Sequence, residues 1–143
     1  MSVILAFYEG LLANRHDEPI QDGYRLLYSL SEFNRIIVAT SGSQERVEHQ
    51  LKSEKMLTVV SEIIDKTADL PPLPLWERQI EVIRSRYPVS HVLTANPEVA
   101  QYAVEHGIVS LFYAHPSFSQ PAIRPQVGNR KWEDLVLELD ARP

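Results

Sequence analysis

Val3-Ile4-Leu5-Ala6-Phe7, running on into Tyr8-Glu9-Gly10, is the stretch on which the fold turns. Residues 2–8 are almost continuously apolar and do not alternate with polar ones. A short run of that kind predicts a strand buried on both faces, and such a strand needs helices above and below it. Ile36-Ile37-Val38-Ala39 has the same character and ends in Thr40-Ser41-Gly42-Ser43. Val89–Leu93, set off by Pro88, is another and leads into Thr94-Ala95-Asn96-Pro97. Leu57–Ile64 contains a weaker strand, and Ile108–Tyr113 reads as a fifth.

Helical spacing fills the intervals. Tyr24, Leu27 and Leu30 mark a helix over about 22–32, with Asp22 as N-cap and Asn34 closing the segment. Ser43 caps a second helix, with Val47 and Leu51 on one face. Trp76, Ile80 and Ile83 mark a third over 75–86. Asn96-Pro97-Glu98 starts a fourth: Asn caps, Pro fits the first helical position, and the acid meets the positive end of the dipole. Gly107 stops it after His106. Residues 10–22 read as loop, and Asp69–Leu75 as a stiff, extended, proline-rich connection. Residues 114–130, rich in Pro and Ser, wrap the surface, and Lys131–Leu139 forms a terminal helix with Trp132, Leu135, Val136 and Leu139 facing inward.

Strand–helix alternation predicts an α/β fold. The expected architecture is a three-layer, Rossmann-like core: a five-stranded, mainly parallel sheet with helices on both faces. One domain, residues 1–143, accounts for the whole pattern, with 114–143 as its C-terminal wrap and helix.

Composition narrows the chemistry. A 143-residue chain with 44% hydrophobic content can bury its own core. Its net charge of -5 argues against a nucleic-acid partner, because a phosphate-tracking surface is basic. There is no cysteine, so disulfides, thiolate zinc sites and cysteine nucleophiles are all excluded. The five histidines, at 16, 49, 91, 106 and 115, include no i, i+4 pair of the kind that holds metal on a helix. No stretch approaches the roughly 20 apolar residues of a membrane span. The apolar N-terminus lacks a basic flank and is interrupted by Glu9, so a cytoplasmic location is expected. Phosphate loops of the Gly-x-x-x-x-Gly-Lys type, Gly-x-Gly-x-x-Gly and the Gly-x-Ser-x-Gly elbow are all absent.

The strand ends resemble those of the haloacid dehalogenase-like (HAD) superfamily over about residues 2–116, through a pattern of positions with few matching catalytic letters. The resemblance implies an Asp-x-Asp-Gly motif after the first strand, nucleophile then general acid. Aligned on Gly10, Phe7 stands at the nucleophile and Glu9 at the acid. It implies a phosphoryl-holding Thr or Ser after the second strand, matched by Thr40 with Ser41 beside it. The implied Lys near a helix start is missing, and Arg78 is the nearest cation. The implied acidic pair after the fourth strand is replaced by Thr94 and Ala95. Another doubly wound α/β domain is the competing reading.

Phenylalanine has no lone pair with which to attack phosphorus. Magnesium prefers hard oxygen ligands, usually one or two carboxylates plus water, and Glu9 alone remains at these positions. The sequence therefore points to a degenerate member of the family with no catalytic residue, no metal and no cofactor, acting by binding another protein or by self-association. The alternative is a phosphate-ligand binder or a divergent hydrolase. It would retain Glu9 and Thr40, use Ser41 and Arg78 as ligand-binding residues, and involve magnesium only in that case. The gaps at 11–21 and 65–75 are too short for a folded cap domain, so the resemblance implies an open, capless core of the kind that meets large partners. Free-standing family members of this size are familiar among bacteriophage products.

Overall fold

The apolar run near the N-terminus becomes the middle of the sheet. In the computed structural model, which describes residues 2–118, β1 (Ser2–Phe7) lies between β2 (Asn34–Ala39) and β4 (Val89–Thr94). β3 (Val60–Ile64) and β5 (Val109–Phe112) form the edges, giving the order β3-β2-β1-β4-β5. Every pairing is parallel, so the expected mainly parallel sheet is parallel throughout. Leu5 sits opposite Ile37 on one side and Val92 on the other, and all three are fully buried.

Alternation along the strands divides the apolar side chains into two clusters. Ile4, Ala6, Tyr8, Ile36, Val38 and Leu93 pack with Tyr24 and Leu27 of α1 (Gln21–Ser31) and Val47 and Leu51 of α2 (Gln44–Ser53). On the other face Val3, Leu5, Phe7, Ile37 and Val92 meet Ile80 and Ile83 of α3 (Leu75–Arg86) and Val99 and Ala103 of α4 (Pro97–Glu105). The result is an α/β, Rossmann-like three-layer fold. Neither residues 8–20 nor residues 65–74 carry a folded cap.

Several boundaries differ from the expectation. Asp22 is not the cap of α1. The helix starts one residue earlier, after Ile20, which has no capping side chain. Ile20 is buried and its N–H donates to the Leu12 carbonyl, so packing fixes this helix start where an acid was expected to. Gly23 then lets α1 press onto the preceding loop, since a Cβ there would fall 1.6 Å from the Leu11 carbonyl oxygen. Asn34 does close α1, with its amide donating to Leu30 O at 2.9 Å, while its backbone opens β2. The third strand does lie within Leu57–Ile64, at Val60–Ile64, preceded by a single 3-10 turn at Leu57–Val59. The proline-rich connection turns at Pro71–Pro72, joined by a cis peptide, and is not extended. The expected helix at 131–139 and most of the 114–130 wrap lie outside the described residues.

Candidate functional site

Parallel strands end on the same side, and the residues following β1, β2 and β4 meet there. Tyr8 prolongs the β1 ladder, its N–H donating to Ala39 O at 2.8 Å. The chain then bends at Gly10, whose φ of +85° suits glycine. A Cβ on Gly10 would lie 2.5 Å from the Ala95 Cβ, so glycine lets the loops after β1 and β4 touch. Of residues 10–22, expected to be loop, the last two already belong to α1, and the rest is a packed element in which Leu11, Leu12 and Ala13 are buried. Asp17 in it forms an ion pair with Arg46 of α2.

Glu9 emerges from this bend toward β2. Thr40 Oγ1 donates to Glu9 Oε2 at 2.7 Å, and the Ser41 N–H donates to Glu9 Oε1 at 2.9 Å. Thr40 is buried at the end of β2, and its hydroxyl accepts the Gly42 N–H at 3.1 Å. Gln44 N–H, at the start of α2, goes to Asp65 Oδ2 at 3.1 Å. Ser43 caps α2 as expected, accepting from Arg46 N–H. The turn that could have offered its N–H groups to an anion is thus supplied with two carboxylates from the chain itself.

Asp65 is bound from both sides. Thr67 donates through its hydroxyl at 2.6 Å and its N–H at 3.0 Å, and these bonds, with that of Gln44, hold the carboxyl below its ordinary range. Tyr8, on the α1–α2 face beneath Glu9, is pushed up to about 12, chiefly by burial, with the charges of Asp17 and Glu9 adding to it.

The other sequence candidates divide. Phe7 points into the α3–α4 face and packs with Ile37, Ile64 and Ile80. Thr94 is buried, and its hydroxyl accepts the Asn96 N–H at 3.0 Å, closing the turn into α4. Ala95 packs against Gly10. Arg78 pairs with Glu81 one turn along its own helix, at 3.2 Å. The α3 residue that reaches the strand ends is Gln79, which sequence reasoning passed over. It is 2% exposed and donates from one amide nitrogen to Thr40 O at 2.8 Å. A signal was present, since Gln79 lies on the stripe formed by Trp76, Ile80 and Ile83.

Magnesium would need hard oxygen ligands, carboxylates above all, at these strand ends. The position aligned with the nucleophile carries a phenyl ring in the core, Glu9 has both oxygens engaged, and Thr94 offers a hydroxyl already bonded to backbone. This donor set does not fit a hexacoordinate oxygen shell. Among the described residues, no three His, Asp or Glu side chains gather as a metal site. Among those residues, too, no helix is long and apolar enough to cross a membrane. No protein-family model matches the chain, and a search of curated proteins finds no match.

Proposed function

We propose that this chain is a catalytically degenerate HAD-like protein, cytoplasmic, that works by binding another protein or by assembling rather than by turnover. One observation carries the reading: Glu9 occupies the Thr40 hydroxyl and the Ser41 N–H, the donors a transferred phosphoryl group would need. With Phe7 in the core, the position aligned with the nucleophile cannot attack phosphorus, and Thr94 and Ala95 bring no carboxylate to a metal. The acidic net charge favours a protein over a nucleic-acid partner, and the lack of a folded cap among the described residues at the strand ends is compatible with a large one.

The test is hydrolysis of p-nitrophenyl phosphate with magnesium, by the wild type and by Glu9→Ala. Neither is expected to turn over substrate. Robust magnesium-dependent turnover that Glu9→Ala abolishes would refute the reading.

The Thr40-Ser41-Gly42-Ser43 turn at the start of α2 favours a second reading, a phosphate-ligand binder or divergent hydrolase retaining Glu9 and Thr40. It requires the Glu9 carboxylate to swing aside. Thermal shift with inorganic phosphate, ATP and magnesium, each at millimolar concentration, separates the two, because only the second predicts stabilisation.

A further inference from the structure

From β1 the chain builds outward through β2 to β3, then crosses to the other side of β1 for β4 and β5. The strand order therefore reverses between β1 and β4. In an open parallel sheet the ligand crevice lies at that reversal, outside the carboxyl ends of the two strands. Here Gly10, after β1, and Ala95, after β4, meet at that place. A third residue meets them there. A Cβ on Gly10 would fall 2.6 Å from the ring of Phe118, a residue that follows β5.

A chain of hydrogen bonds brings Phe118 to the centre of the sheet. The Tyr113 N–H donates to Thr94 O at 2.7 Å, which turns the chain back over the exit of β4. His115 Nε2 lies 3.1 Å from Asp22 Oδ2 in the first turn of α1. A carboxylate only accepts, so Nε2 carries the proton and Nδ1 accepts the Ser117 N–H at 3.2 Å. The Phe118 N–H donates to His115 O at 3.0 Å, and its carbonyl accepts from Arg15 Nε at 2.9 Å. These fastenings lie at the surface. Arg15 is exposed, the Asp22 side chain is 66% exposed, and Phe118 is half-buried. Solvent-exposed polar contacts are individually weak, whereas the strands beneath are fully paired, so this segment can come away without unfolding the sheet.

We propose that residues 113–118 are an intramolecular strap whose Phe118 ring plugs the crevice between the β1 and β4 exits. A partner protein enters by presenting the two groups that Phe118 supplies, an aromatic side chain for Gly10 and Ala95 and a backbone carbonyl for Arg15. The partner's chemistry rests on the protein-binding reading above; the strap rests only on the contacts just described.

Amide hydrogen exchange on the full wild-type chain tests the strap. The Phe118 N–H is expected to exchange at least about tenfold slower than in an unstructured chain, and at least about a hundredfold faster than the Tyr8 N–H, which is bonded within the sheet. No protection would mean that the strap is not fastened, and a rate equal to that of Tyr8 that it never opens alone. Either result overturns the proposal. NMR titration tests the crevice, with an acetylated and amidated peptide of residues 113–118, Tyr-Ala-His-Pro-Ser-Phe, at up to about 10 mM. In full-length Phe118→Ala the Gly10 and Ala95 amide signals are expected to move at least about fivefold further than in the wild type, where Phe118 competes within the chain. The same peptide with alanine for its phenylalanine should move neither signal. Equal shifts in the two proteins, no shift in either, or shifts that do not need the peptide's ring would overturn the proposal. Signals that move with added unlabelled wild type but not with peptide would assign the crevice to a second copy and overturn it too. Phosphatase turnover is read separately, so the strap can fail while the protein-binding reading stands.

Discussion

Gln79 of α3 donates its side-chain amide to the backbone carbonyl of Thr40, tying a helix on one face of the sheet to the end of β2. The same nitrogen lies 3.2 Å from Asp65 O and 3.4 Å from Ile64 O, so one buried amide holds the exits of two neighbouring strands. Gln79→Leu keeps the volume and deletes the donor. It is expected to cost about 1–3 kcal/mol, the penalty for leaving a buried carbonyl unsatisfied. Urea unfolding checks this, and a loss below about 0.5 kcal/mol would mean that other donors take over.

Tyr24 has the opposite problem. Its ring is buried, and its hydroxyl has no hydrogen-bond partner among the described residues. Tyr24→Phe removes a desolvated polar atom without opening a cavity. Stability is expected to stay level or rise by up to about 1 kcal/mol. A fall of more than about 1 kcal/mol on thermal or urea unfolding would show that the hydroxyl is bonded.

High pH should unfold the protein through its buried tyrosines. Tyr8 is raised from 10.0 to about 12, mainly by burial, and Tyr24 is raised further for the same leading reason. Above pH 10 the unfolded chain sheds these protons while the native state keeps them. Stability is therefore full below pH 10 and falls as pH climbs toward 12. Tyr8→Phe should flatten that limb in a series of melting temperatures against pH. An unchanged slope would remove Tyr8 from the cause.

Asp65 acts at the other end of the scale. Its carboxyl is held below the ordinary 3.8 first by Thr67 and then by Gln44 at the start of α2. A depressed native value makes its contribution full above 3.8, and that contribution is lost as pH falls through the native value. Asp65→Asn should therefore lower the melting temperature at neutral pH and match the wild type in strong acid. Parallel curves across the whole range would contradict this.

Where one kind of force dominates, the sequence could be read directly. Unbroken apolar runs at Ile4–Phe7 and Ile36–Ala39 could only be buried strands, and Ser43 and Asn96 carry their caps in their chemistry. Where tertiary packing decides, it could not. Ile20 starts α1 because it is buried, a fact set by Leu12 and invisible locally. At the site, Glu9, Thr40 and Ser41 each stand out in the sequence, but their hydrogen bonds depend on β1 and β2 being neighbours. Arg78 stood out as a charge, yet its partner is Glu81, and the residue facing inward is the uncharged Gln79 beside it.

The central position of β1 has a kinetic consequence. Its β2 side can zip up through a nearby connection, but its β4 side must wait for a partner from beyond α3. Closing that long loop costs entropy before any contact repays it. Refolding should be limited by the meeting of Val3–Ala6 with Val89–Leu93, and destabilising substitutions at that seam should slow refolding more than those at β3.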